Sequence, residues 1–454
     1  REVQFWVGNI YCLGTGTMGH FPIFDESSGK LSSNAVNAFA GTADGSLWVG
    51  TDNGLNRLRP GSQEFEWINE YTSPGLSSSA VMSLLGDGNY LWIGTFDGGL
   101  NRLDISTGDL RVFRNSPTNP ESLGANGVTS IIRSSTGELL VGTYGGGLSI
   151  FSAKNGDFKT FRHSPDDSKT ISSDRVIALF EDSLGIIWVG TEEGLNRFQL
   201  VNGEFERFQR DFNTPGSITS DMVWAFHEDS QQRLWLGSQG GGLVSWGKDD
   251  RMKSISNFID HSGEVRLPSS SIYVIKSDSE GNLWLSHNRG VTKYNPVSHS
   301  TRQYTERDGL QGTEFNMGAA YQAVDGSIYF GGPKGFNVID ANFSKQARIP
   351  PLVSVASIKI MNKQVFFDEP YYELDGLELT YKDRMLTVEA YASDYSNPGL
   401  VQYAYKLEGL NSDWVISEDS RIASFTTLPP GNYQLRFAAA NPEGVWNWDA
   451  LSIP

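Results

Sequence analysis

The sequence predicts an all-β chain, a seven-bladed β-propeller followed by an immunoglobulin-like β-sandwich, and three observations carry that reading. An apolar or aromatic position recurs at residues 48, 92, 140, 188, 235, 284 and 329, with spacings of 44, 48, 48, 47, 49 and 45 residues. That is the period of a four-stranded blade and too long for the common helical repeats. Within each period, short runs rich in Val, Ile, Phe, Trp and Tyr are bounded by Gly, Asp, Asn and Ser, the side chains that fit a pleated, half-buried surface. After Pro350-Pro351 the period stops, and alternating runs recur at shorter intervals to the end of the chain, as in a sandwich.

The elements follow in order. Residues 1–19 form an N-terminal segment of uncertain role: Trp6-Val7-Gly8 echoes the repeat and leaves open an extra partial blade. The propeller is expected over 20–345. One unit reads Val176 to Phe180, Ile187 to Thr191, Leu195 to Leu200 and Phe205 to Phe208. Its second strand carries the strongest signature, seen at Leu47-Trp48-Val49-Gly50-Thr51 and again at Trp92, Trp188, Trp235 and Trp284. An Asp-Gly or Asp-x-x-Gly turn precedes that strand, and a glycine turn follows it because tight hairpins need positive φ. The last repeat lacks an outer strand after Asp340. Gly19-His20-Phe21-Pro22-Ile23-Phe24 matches the outer-strand pattern Gly156-Asp157-Phe158-Lys159-Thr160-Phe161, so the beginning of the chain is expected to complete the final blade and remove an open sheet edge. Residues 346–351 read as a linker. The sandwich is expected over 352–454, with strands at Val353 to Met361, Leu377 to Tyr381, Leu386 to Tyr391, Tyr403 to Leu407, Ile422 to Thr427 and Tyr433 to Ala439.

Composition narrows the function classes. A net charge of −17 would repel a nucleic-acid backbone, so no nucleic-acid partner is expected. No run of 18 apolar residues offers a membrane span. The single Cys12 excludes an internal disulfide framework and a cysteine metal cluster.

The repeats Val-x-x-Leu/Phe, Asp-x-x-Gly-x-x-Trp-x-Gly-Thr and Gly-Leu-Asn-Arg resemble the two-component regulator propeller repeats. The segment with Tyr403, Tyr405, Leu407-Glu408-Gly409, Trp414, Leu428-Pro429-Pro430-Gly431-Asn432-Tyr433 and Gly444-Val445-Trp446 resembles the three-tyrosine domain that follows them. Phe425 stands where that family often has a tyrosine. The resemblance implies the extracytoplasmic sensor of a bacterial membrane receptor, periplasmic and joined by one membrane helix to a histidine kinase, hybrid kinase or diguanylate cyclase.

Other motifs weigh less. Gly14-Thr15-Gly16-Thr17-Met18-Gly19 matches a dinucleotide fingerprint, but Pro22 in an alternating segment denies it the helix a phosphate site needs. The six histidines lack metal-ligand spacing, and no stretch supplies a calcium-loop ligand series. No cofactor, metal or catalytic residue is therefore expected. The tryptophans of the second strands read as packing between blades.

Ligand contact is expected on the face where the glycine turns emerge, since loops there vary without disturbing the sheets. Asp97, Tyr144, Glu192, Gln239 and Arg289 are the candidates, with Trp224 at the channel wall. Their mixture of carboxylates, amide, cation and rings suits a small polar molecule or an oligosaccharide. Two alternatives stand beside the sensor: a lyase resembling the streptogramin lyases, for which only His227-Glu228 and His287 offer themselves, and an interaction scaffold. Signalling is expected to run through a homodimer of the 352–454 domain.

Overall fold

The computed structural model describes residues 21–27, 30–73, 75–263, 267–341, 343, 350–367, 376–393, 401–410, 413–417, 421–441 and 444–453. Trp6, Cys12, the glycine pattern at 14–19 and most of the 346–351 segment lie outside those residues. The chain is all-β and divides at residue 342 into two compact units.

The first unit holds seven four-stranded antiparallel sheets in a propeller-like arrangement. Six are meanders whose opening strands are Val36–Gly41, Val81–Asp87, Val128–Arg133, Val176–Glu181, Val223–Glu228 and Ile272–Ser277. The seventh is built from Ala320–Gln322, Ile328–Gly332, Gly335–Ile339 and the two-residue strand Ile23–Phe24. Ile23 pairs with Asn337 and Phe24 with Phe336, and the Phe24 ring stacks on Phe336 with centroids 4.7 Å apart. Opening strands of successive sheets pack on one another, and the first also packs on the seventh sheet.

The repeat signature has a physical cause at each position. Every second-strand tryptophan is buried, and its indole N–H must find an acceptor there. The aspartate of the preceding turn supplies it: Trp92 donates to Asp87 at 3.0 Å, Trp188 to Asp182 at 2.9 Å, Trp235 to Asp229 at 2.8 Å and Trp284 to Asp278 at 3.1 Å. In the first sheet, Thr42 takes that place for Trp48 at 3.0 Å. The glycine two residues after the tryptophan position serves close approach. A Cβ on Gly50, Gly94, Gly142 or Gly331 would lie 2.5–2.7 Å from a methyl of Val81, Val128, Val176 or Val36, respectively, each at the start of the next sheet. Glycine here and a β-branched residue there set the spacing between sheets.

One insertion breaks the repeat. Between the third and fourth strands of the fifth sheet runs a short helix, Lys248–Met252, which the periodicity does not foresee. It buries Arg251 completely. The Arg251 Nε lies 2.9 Å from Asp182 and its Nη2 2.5 Å from Glu228, so the helix ties the fourth sheet to the fifth.

The second unit has two four-stranded sheets. One is ordered Lys363–Val365, Val353–Ile360, Met385–Ala392, Ile422–Thr426; the other Val415–Ser417, Gln402–Glu408, Gln434–Ala440, Trp446–Ile453. They share one core around Ile358, Val388, Ala390, Leu407, Ala423 and Phe437. The expected strand Leu377 to Tyr381 is absent. Leu377 and Leu379 pack on the core, but Thr380 is held in a turn by the Asp383 carboxylate, which accepts from its N–H at 2.8 Å and its hydroxyl at 2.6 Å. Alternation there reflects burial without a strand ladder. Phe425, in place of a tyrosine, packs edge-on against Tyr405 with centroids 5.9 Å apart.

Candidate functional site

Six of the seven opening strands carry a β-bulge at the same place. The register shifts between Val36 and Ala38, Val81 and Ser83, Val128 and Ser130, Val176 and Ala178, Val223 and Ala225, and Ile272 and Val274. The extra residues are Asn37, Met82, Thr129, Ile177, Trp224 and Tyr273. A bulge re-aims its side chain and commonly sits beside a functional site. Here it sets six side chains on the innermost strands, at the end where the glycine turns emerge. Some lace the sheets together: Asn37 donates to the Val81 carbonyl at 3.1 Å and Thr129 to the Val176 carbonyl at 2.8 Å. Trp224 and Tyr273 instead form a platform, their rings 5.3 Å apart and tilted by 32°. The Tyr273 hydroxyl donates to Glu314 at 2.8 Å, and burial together with that carboxylate pushes its pKa up to about 12.

The expected site residues separate into those the fold joins and those it leaves apart. Tyr144 and Glu192 come from the glycine turns of the third and fourth sheets, and the Tyr144 hydroxyl donates to Glu192 at 2.7 Å. Arg175 completes the group: its Nη1 lies 2.8 Å from the other Glu192 oxygen and its guanidinium 5.3 Å from the Tyr144 ring centroid. Burial works against ionisation of Glu192, yet the hydrogen bonds from Arg175 and Tyr144 hold its carboxyl below the usual range. Asp97, Gln239 and Arg289 are exposed at the tips of their own turns, and the Gln239 and Arg289 backbones are fixed by Met222 and His287. Trp224 is buried at the bulge.

Arg175 and Tyr273 escape a reading by residue type alone, although the repeat marks Arg175. The residue before each opening Val or Ile is Ala35, Ala80, Gly127, Arg175, Met222 or Ser271, and only one of these is charged. Glu314, the partner of Tyr273, has no such signal.

The histidines considered for lyase chemistry are structural or isolated. His287 is fully buried, with Nε2 2.8 Å from the Thr292 hydroxyl and Nδ1 accepting the Arg289 N–H at 3.0 Å. Burial, with the Arg289 charge, lowers its pKa to about 4, and burial, with the Lys276 charge, does the same for His227. No group of three or more metal-binding side chains gathers among the described residues. An unfolded histidine takes up a proton near pH 6.5, whereas these stay neutral in the fold down to about pH 4. Stability should therefore fall as pH drops through that window, by up to about 1.4 kcal/mol per pH unit for each group. The denaturation midpoint is expected to be lower at pH 5 than at pH 7, and the gap to narrow in His287→Gln; an unchanged gap would remove His287 as its source.

Comparison with known proteins adds the following. Residues 30–53, 170–193 and 217–240 match the two component regulator propeller, and residues 394–454 match the Y_Y_Y domain. The chain is 28% identical over 196 residues to histidine kinase P4 of Formosa agariphila, a match covering 42% of this chain and 14% of that protein. Among solved structures it is similar to the extracellular domain of a B. thetaiotaomicron protein assigned to the one component systems, with 19% identity and a TM-score of 0.56 over 96% of this chain and 59% of the other. It is also similar in fold to virginiamycin B lyase of Staphylococcus aureus, with 10% identity and a TM-score of 0.50 over 70% of this chain and 98% of the lyase. The chain carries two-component regulator propeller repeats followed by a Y_Y_Y domain, and it spans a small part of the kinase it matches.

Proposed function

We propose that this chain is the ligand-sensing part of a bacterial membrane signalling receptor. In this reading the seven sheets close into a seven-bladed propeller over 20–345, and an immunoglobulin-like sandwich at 352–454 faces a periplasmic membrane surface. The output is a cytoplasmic kinase or diguanylate cyclase carried on sequence outside this chain. The observation that carries the reading is the ring of bulges. It gathers the Trp224–Tyr273 platform and the Tyr144–Glu192–Arg175 group at one end of the innermost strands, where rings, a carboxylate and a guanidinium meet a small polar molecule or an oligosaccharide. The domain order and the match to a histidine kinase support a signalling role.

The test is calorimetric titration of the chain with candidate polar ligands. Replacing Tyr144 and Glu192 together by alanine should weaken binding at least tenfold, with Asp97, Gln239 and Arg289 as a second set. Tyr144 and Glu192 both lie in surface turns, and partly solvated ion pairs such as Glu192–Arg175 contribute about 0–1 kcal/mol, so the melting temperature should shift little. Binding that is unchanged across both sets would place the site elsewhere. Transmission would run through a weak dimer of the 352–454 domain that ligand strengthens by binding one arrangement better. Sedimentation showing a monomer with and without bound ligand would exclude that route.

A further inference from the structure

A recess lined by none of the bulge residues opens at the fifth sheet. It is a cleft of about 390 Å³ between the segment 210–219, the glycine turn at Gly240-Gly241 and the strand end at Asp260. That volume lies within the roughly 300–1,000 Å³ of small-ligand sites.

The cleft lies where the repeat loses its latches. In five sheets the backbone N–H of the incoming loop is capped by a polar side chain on the third strand: Ser32 by Asn56, Ser77 by Asn101, Gly124 by Ser149, Ser172 by Asn196 and Gln311 by Asn337, at 2.7–3.1 Å. The fifth sheet has Val244 at that position, which offers no acceptor. In the first four sheets a threonine also closes the glycine turn: Thr51, Thr95, Thr143 and Thr191 each donate to the turn carbonyl at 2.8–3.0 Å. The fifth sheet has Ser238, whose hydroxyl is buried without a hydrogen-bond partner. It lies beneath the floor of the cleft, 2.5 Å from where a Cβ on Gly241 would stand. A third latch is missing too. Asn115 and His163 hold the carbonyls of Leu123 and Ile171 at 2.7 and 2.8 Å, whereas the equivalent Arg210 lies over the Phe212 ring, 4.1 Å from its centroid. The sixth sheet also departs, with Thr292 and His287 at the first two positions, but there the two bond to each other at 2.8 Å; the fifth has no such replacement, and its orphaned hydroxyl under an open cleft is what a ligand-dependent site leaves behind.

The lining names the ligand class. Phe212 is 83% exposed at the rim, a ring available to stack on the C–H face of a sugar. Asp211 and Asp260 bring two carboxylates and Arg210 one guanidinium. Asp211 accepts from Asn213 and Thr214 within its own turn, and Asp260 from Ser262, but a carboxylate has about four acceptor sites, so capacity remains for hydroxyl donors. Carboxylates outnumber the cation locally, as acids outnumber bases in the whole chain, which disfavours an anionic ligand. We infer that the cleft binds a neutral saccharide, stacked on Phe212, with its hydroxyls donating to Asp211 and Asp260 and accepting from Arg210. The inference rests on the reading of the chain as a receptor for a polar ligand and places a separate contact outside the bulge ring.

The test titrates the full chain with neutral hexaoses of β-1,4-glucan, α-1,4-glucan, β-1,4-xylan and β-1,4-mannan, with hexagalacturonate as the acidic comparator. At least one neutral hexaose is expected to bind. Phe212→Ala should weaken it about tenfold with an unchanged melting temperature, since an aromatic contact accounts for a factor of that order. Restoring the latches with Val244→Asn and Ser238→Thr should weaken binding while the fold persists, as read by the melting curve. If Phe212→Ala leaves binding unchanged while the Tyr144 and Glu192 pair abolishes it, the cleft is refuted and the receptor reading stands. Binding of hexagalacturonate alone, or of none of these sugars, also overturns the cleft assignment.

Discussion

Arg251→Leu should lower the unfolding free energy by about 3–5 kcal/mol, the usual cost of leaving buried charge without its partner. Arg251 is fully buried, and so is the side chain of Asp182, while that of Glu228 is 11% exposed. Removing the guanidinium leaves both carboxylates uncompensated where water cannot reach them easily. Urea denaturation followed by tryptophan fluorescence measures the loss. A change below about 1 kcal/mol, the range of exposed pairs, would mean that the helix Lys248–Met252 opens in solution and lets water in.

Trp188→Ala is the second large effect, expected at about 3–5 kcal/mol for truncating a buried aromatic side chain. The ring packs edge-on against Trp246, with centroids 5.2 Å apart, and its N–H reaches Asp182. Because Arg251 and Trp188 share Asp182, the two substitutions should not add. A double-mutant cycle in the same denaturation assay should show a coupling of roughly 0.5–3 kcal/mol. A coupling indistinguishable from zero would show that the carboxylate answers to only one of them.

Much of the propeller unit was legible because its rules act over short distances and are repeated. A tryptophan needing an acceptor, a turn aspartate supplying it and a glycine admitting the next sheet's valine write themselves into every period. The completing strand at Ile23–Phe24 was visible for the same reason, since Phe24 stands where Phe161 and Phe208 stand in their repeats. What escaped depends on partners distant in sequence. Arg251 looks like one more exposed basic residue until the fold brings Asp182 and Glu228 to it. The bulge that gives Trp224 and Tyr273 their shared place is a shift of register, which the residue pattern does not encode. Leu377 to Tyr381 has the alternation of a strand because Leu377 and Leu379 are half-buried, but the Thr380–Asp383 turn stands where a ladder was expected. Of the candidate site, Tyr144 and Glu192 were named without the residue that joins them, because a guanidinium spanning two turns is a three-dimensional fact.

The two-residue strand at Ile23–Phe24 also sets a timetable. Its partner Phe336 lies 312 positions later in the chain, so at roughly 5–20 residues per second a ribosome needs about 15–60 s to deliver it. Throughout that interval this strand has no edge to join. Pairing across so long a span is entropically slow, so this two-residue pairing is expected to form after the sheets whose strands are neighbours in sequence.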